Sequence, residues 1–143
     1  MNSALLTVGS EEYRLKMNTA VKIDAEKKLG QSLLRAQLRM DETEVFSIIL
    51  WAALQQYNHG MTIKDTLELI DEMEEKGCKY TDPGTGKEKV LDEFCISDRE
   101  GLVFAILKVS GFFTKAELES LNELEAETKP KTRKKKATSQ PPS

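Results

Sequence analysis

One histidine, two cysteines and a Gly-Thr-Gly-Lys stretch are the residues of this 143-residue chain best suited to chemistry, and their spacing argues against most of it. His59 is the sole histidine, so no Ser-His or Cys-His nucleophile pair has a strong case. A metal centre needs several His, Cys or acidic ligands at coordinating spacing, whereas Cys78 and Cys95 stand 17 positions apart. His59 adjoins Gly60 and reads as a helix-end residue that interacts with the last carbonyls. Gly84-Thr85-Gly86-Lys87 looks like part of a phosphate loop. That motif requires glycine where Thr81 stands and Ser or Thr where Glu88 stands, so the match fails twice. Asp82 to Glu93 imitates a calcium loop at its ends only, because its third and fifth positions are Gly84 and Gly86 and its central glycine is replaced by Lys87. No catalytic residue, cofactor or metal ligand is assigned, and the chain reads as a non-enzyme.

Charge and composition narrow the class further. All 24 acidic residues lie at or before Glu127, against 15 basic ones there, so the body carries −9 and the remaining tail +6. An acidic body is a poor partner for phosphate, which makes nucleic-acid binding an unfavoured role. The tail has no interleaved aromatic residue and so no stacking platform for single strands. No apolar run approaches the roughly 20 residues that span a bilayer. The first residues lack the charged and apolar regions of a signal peptide, which points to a cytosolic protein with reduced thiols.

The elements that would hold any functional surface are mainly helical. Val45 to Leu54 is apolar except at Ser47, and a helix apolar nearly all round is buried on several sides. Asp41 with Glu44 suggests its capping box, and Gly60 suggests its left-handed stop. Thr62 caps a following helix whose Ile63, Leu67, Ile70 and Met73 recur at helical spacing, with Gly77 as its end. Upstream, Leu5–Val8 and Tyr13–Met17 read as a β-hairpin around Gly9. A helix follows from Asn18 or Thr19 to Leu29, with Val21, Ile23 or Ala25, and Leu29 turned inward. Ser32 to Arg39 adds a short helical piece.

Lys79 to Lys89 reads as one long loop broken by Pro83, Gly84 and Gly86. Ser97 with Glu100 suggests a box opening the apolar run Gly101–Leu107, and Thr114 with Glu117 a box opening a last helix. The expected fold is mainly α, a small helical domain over residues 1–127 with an N-terminal β-hairpin, followed by a disordered basic tail over 128–143. Trp51, Ile49, Leu54, Phe104 and Leu107 should form its core.

Two surfaces could bind a partner. Leu118, Leu121 and Leu124 make a narrow apolar stripe that could cover the core or dock a partner helix. Glu72, Glu74 and Glu75 read as a solvated face, with Glu72 and Glu75 the candidates for contact with a basic partner.

The blocks Tyr13-Arg14-Leu15 with Asn18-Thr19, Ala25 to Gly30, Leu50 to Thr62 and Ser110-Gly111-Phe112-Phe113 together resemble the tail assembly chaperones of long-tailed bacteriophages and prophages. The resemblance spans roughly Tyr13 to Glu125, and the block Leu50 to Thr62 is its most specific part. It implies a non-enzymatic protein of the host bacterial cytoplasm that keeps the tape measure protein soluble while tail tube subunits polymerise around it. It also implies absence from the finished virion and contact with the tail tube protein through a frameshift-extended form. Self-association is compatible with it. Lys134-Lys135-Lys136 suggests an A-rich slippery stretch for such frameshifting. The Tyr80–Val90 segment departs from the simplest family pattern. The competing reading is a small helical nucleic-acid-associated regulator that uses the basic tail, and the −9 body argues against it.

Overall fold

Alternation along Ala4–Val8 (β1) places Ala4, Leu6 and Val8 on one face, all of them buried, and this strand sits inside a sheet rather than at its edge. The computed structural model describes residues 3–121 and 123. They fall into a first compact unit ending at Phe112 and a second beginning at Phe113. In the first unit, β1 pairs antiparallel with Glu11–Leu15 (β2) on one side and with Cys78–Thr81 (β3) on the other. Glu88–Leu91 (β4) pairs antiparallel with β3, giving the order β2-β1-β3-β4.

The mainly-α expectation is therefore corrected to a mixed α/β fold: helices supply the larger share, but a four-stranded antiparallel sheet stands where only a hairpin was expected. The error lay in Lys79 to Lys89. Its Pro and Gly residues do break the chain, but only between Asp82 and Lys87; either side of them, Tyr80-Thr81 and Val90-Leu91 are strand formers. The local pattern resembles a loop because β3 gains its partner, β1, from about seventy residues away.

The helices of this unit are Thr19–Leu29 (α1), Leu33–Ala36 (α2), Thr43–Gln55 (α3), Ile63–Lys76 (α4) and Arg99–Val109 (α5). Short 3-10 turns, Gln37–Arg39 and Ile96–Asp98, follow α2 and precede α5. Asn18 caps α1 by accepting from the Val21 amide, and Gly30 ends it at φ 72°, a left-handed position that glycine takes at least cost. Thr62 and Asp65 form a reciprocal capping box at the start of α4. Gly77 closes α4 at φ 80°, and a Cβ there would run into the carbonyl oxygens of Leu91 and Asp92.

Several local expectations fail for identifiable reasons. The Asp41–Glu44 box does not form, because α3 starts with Glu42 at its cap position and the Glu42 carboxylate is taken by Arg39. Likewise Ser97 lies inside a helical run that begins earlier, and the Asp98 carboxylate instead accepts from the Cys95 amide at 2.8 Å. Gly60 does not have a positive φ. Instead α3 ends where the Gln55 side chain donates to the Trp51 and Met61 carbonyls, and the Asn58 amide reaches back to Leu54.

The core lies between the Leu6 face of the sheet and α3, α4 and α5. Ile49, Leu54 and Leu107 are buried as expected, whereas Trp51 and Phe104 are half-buried at its margin. Gly101 permits a close approach there: a Cβ on it would sit 2.5 Å from the Tyr80 hydroxyl. In α1 only Ala25 is buried, and Ile23 faces solvent.

Two buried cations tie elements together. Lys108 on α5 pairs with Asp82 in the β3–β4 turn at 3.2 Å. Arg99 donates to the Met40 carbonyl and the Thr43 hydroxyl, with its guanidinium over the Phe46 ring. Among the described residues no helix is long and apolar enough to cross a membrane. The tail, residues 128–143, lies outside the described residues.

Candidate functional site

The residues with the greatest chemical potential are dispersed. His59 is exposed in the turn after α3. Both thiols are free; Cys78 is buried at the start of β3 and Cys95 is exposed before the second 3-10 turn. Burial, with the nearby Asp98 charge, pushes the Cys78 thiol up to about 11. The Cys95 thiol is also raised, by desolvation and then by Glu93, Asp98 and Glu74. A raised thiol holds less thiolate at neutral pH, which is the opposite of nucleophile activation.

Three of the four amides of the Gly84–Lys87 loop are spent within the loop. Gly84 donates to the Asp82 carboxylate, Gly86 to the Asp82 carbonyl and Lys87 to the Thr85 hydroxyl. Its backbone is therefore not a cradle of free donors for phosphate.

The two candidate partner surfaces fall in different units. In the second unit, Thr114 and Glu117 bond reciprocally and open a helical stretch over 115–121. Leu118 and Leu121 are half-buried, and Leu121 lines a shallow depression of about 390 Å³ with Phe113, Ala116, Glu117 and Ser120. Leu124 lies outside the described residues. In the first unit, Glu72 is half-buried and paired with Lys76 at 3.1 Å, while Glu75 is exposed. Glu75 shares the outer face of α4 with Glu68 and Asp71, opposite the buried Thr66, Leu69, Ile70 and Met73.

Sequence reasoning missed a third surface. Leu67 recurs with Ile63, Ile70 and Met73 at helical spacing, yet it is 44% exposed. It borders a groove of about 340 Å³ with Ile63, Ile48, Ser47, Thr43 and Glu44. The signal was present in the spacing: Thr66, Leu69, Ile70 and Met73 form the better-phased inner face, which leaves Ile63 and Leu67 on its flank. Thr66 masked that phase because its polar side chain satisfies itself on the Thr62 carbonyl.

Three of the sequence blocks named above, Tyr13–Leu15, Ala25–Gly30 and Leu50–Thr62, meet in the fold. The Arg14 guanidinium lies over the Tyr57 ring at 4.7 Å, and the Lys28 ammonium over Trp51 at 5.1 Å. The Ser110 hydroxyl accepts from the Met17 amide and donates to the Ile106 carbonyl. These residues do scaffold work, so they mark the fold more than a contact surface. Trp51, half-covered by Lys28, belongs to this set.

No protein family, curated protein or solved structure matched this chain when it was compared with each.

Proposed function

We propose that this chain is a tail assembly chaperone of a long-tailed bacteriophage or prophage. In this reading it works without catalysis in the host bacterial cytoplasm, binds the tape measure protein, and helps recruit tail tube protein through a frameshift-extended form. It does not remain in the virion.

The observation that carries the reading is the block Leu50 to Thr62, the most specific part of the resemblance. It forms the end of α3, the polar turn and the cap of α4. Its partners in space, Arg14 and Lys28, come from two other blocks of the same resemblance. A −9 body with exposed apolar side chains on its helices suits a protein that shields amphipathic helices of a partner.

Co-expression with the tape measure protein of the same phage tests this. The soluble yield of that partner should rise, and the complex should survive moderate salt, because screening weakens exposed charge pairs far more than buried apolar contacts. If the chain never binds or solubilises the tape measure protein, even beside its frameshifted form, the reading is wrong. Binding to DNA with a steep salt dependence would instead favour a nucleic-acid regulator.

A further inference from the structure

Leu38, in the 3-10 turn after α2, is the most exposed large apolar side chain among the described residues, at 77%. It edges a groove of about 370 Å³, which it lines with Gln37 from its own segment and with Glu100, Gly101 and Phe104 from α5. Seven of the eleven residues of α5 are buried, and Glu100, Gly101 and Phe104 form the stripe turned to the groove. A helix stripe left open is ordinarily polar. This one is floored by a bare glycine and the half-buried ring of Phe104. Gly101 cannot be enlarged, because a Cβ there would sit 2.5 Å from the Tyr80 hydroxyl. A protruding leucine and an apolar hollow thus stand side by side on one face.

The charges of this face repeat the arrangement. Arg35, three positions before Leu38 and on its side of the segment, is exposed, and Glu100 is exposed on the opposite wall of the groove. Neither has an ion-pair partner among the described residues, and they are not paired with each other. The neighbouring Arg39, by contrast, is already engaged by Glu42. The face therefore carries a projection beside a hollow and a cation beside a carboxylate. A two-fold pairing needs both halves of each contact on one surface, since in such an interface the same patch serves both subunits.

We propose that this face joins two copies of the chain about a two-fold axis, with Leu38 of each entering the groove of the other against Gly101 and Phe104, and Arg35 of each meeting Glu100 of the other. The glycine floor lets the incoming leucine approach the α5 backbone closely. A partner of uniform charge would meet its own sign on one wall, whereas a second copy presents both signs in the required places. Two grooves of this size predict a weak dimer, with a dissociation constant of about 10 µM to 1 mM. The inference goes beyond the chaperone reading, which leaves self-association open, and does not depend on it.

Sedimentation equilibrium of the full chain should show a monomer–dimer equilibrium in that range. Leu38→Lys should weaken it about tenfold or more, as loss of a central anchor does. Arg35→Glu and Glu100→Arg should each weaken it about tenfold, because the two-fold axis introduces every like-charge clash twice. All three side chains are exposed, and melting curves should confirm that each variant folds. The decisive arm mixes the two charge variants. Each self-associates poorly, yet together they should form a heterodimer as tight as the wild-type pair, since one charge pair is then native and the other reversed. Leu67→Lys, in the α3–α4 groove, should leave dimerisation unchanged. The proposal is overturned if the chain stays monomeric at about 1 mM, if Leu38→Lys dimerises like wild type, or if the mixed variants fail to recover. Such a failure leaves the chaperone reading to its own co-expression test.

Discussion

Helices α3 and α4 are neighbours of almost equal length, yet they divide the work of the first unit between them. Of the thirteen residues of α3, nine are buried, from Val45 to Leu54 with only Trp51 half-open. Helix α4 buries Thr66, Leu69, Ile70 and Met73, and gives the rest of its fourteen residues to solvent or to the groove. A helix buried over most of its surface contributes chiefly packing, whereas an amphipathic one keeps a whole face on which recognition can be built. In this molecule, stability should therefore respond most to changes in α3 and on the inner face of α4, and least to changes on the outer flank of α4.

Four substitutions and one titration would break or sharpen that division. The largest effect is expected at Phe46, fully buried in α3 with its ring 5.7 Å from that of Phe94 and beneath Arg99. Phe46→Ala should cost about 3–5 kcal/mol in urea unfolding. A loss below about 1 kcal/mol would show that α3 is not the stabilising centre. Next comes Met73→Ala on the inner face of α4, at about 2–4 kcal/mol, since that side chain is also fully buried. If it proved harmless, α4 would be docked loosely and its phase misjudged. Thr62→Ala removes one half of the capping box and should cost about 1 kcal/mol, seen as a lower melting temperature with the fold retained.

Glu75→Gln on the exposed face should change stability by no more than about 0.5 kcal/mol, and a larger loss would reveal a structural role for that face. The smallest effect is expected at the exposed start of α3. The side-chain hydrogen bond from Arg39 holds the Glu42 carboxyl below its ordinary range. A carboxylate lowered in the folded state stabilises above its unfolded pKa, and that stabilisation is lost as pH falls through the folded value. The difference in urea midpoint between wild type and Glu42→Gln should shrink from pH 7 to pH 3. Growth of that difference on acidification would contradict the pairing.

The legible parts of the fold were those decided within a few residues. Asn18, Gly30, Thr62 and Thr114 cap or stop their helices as their neighbours suggested, because each cap is satisfied by an amide or carbonyl about one turn away. The first hairpin was legible for the same reason, with β1 and β2 joined through a Gly9-Ser10 turn. Where two local patterns competed, the sequence alone did not show which one wins. Asp41 looked like a cap, but Arg39 drew Glu42 into an ion pair and α3 began one residue later. Leu67 recurs with Ile63, Ile70 and Met73 at helical spacing, but Thr66, Leu69, Ile70 and Met73 are the better-phased set, which the polar Thr66 obscured.

By itself, the sequence determined the charge separation between body and tail, the enclosed character of α3 and the positions of most helix starts. These depend on composition or on contacts a few residues long, which are the same in any fold that forms the helices. The tertiary structure alone decided that Cys78–Thr81 joins β1 to make a four-stranded sheet, and that Lys108 meets Asp82. It alone set Ile48 beside Ile63 and Leu67 in one groove. Each of those depends on partners well separated along the chain, whose meeting is fixed by burial across the whole unit rather than by the propensity of either segment.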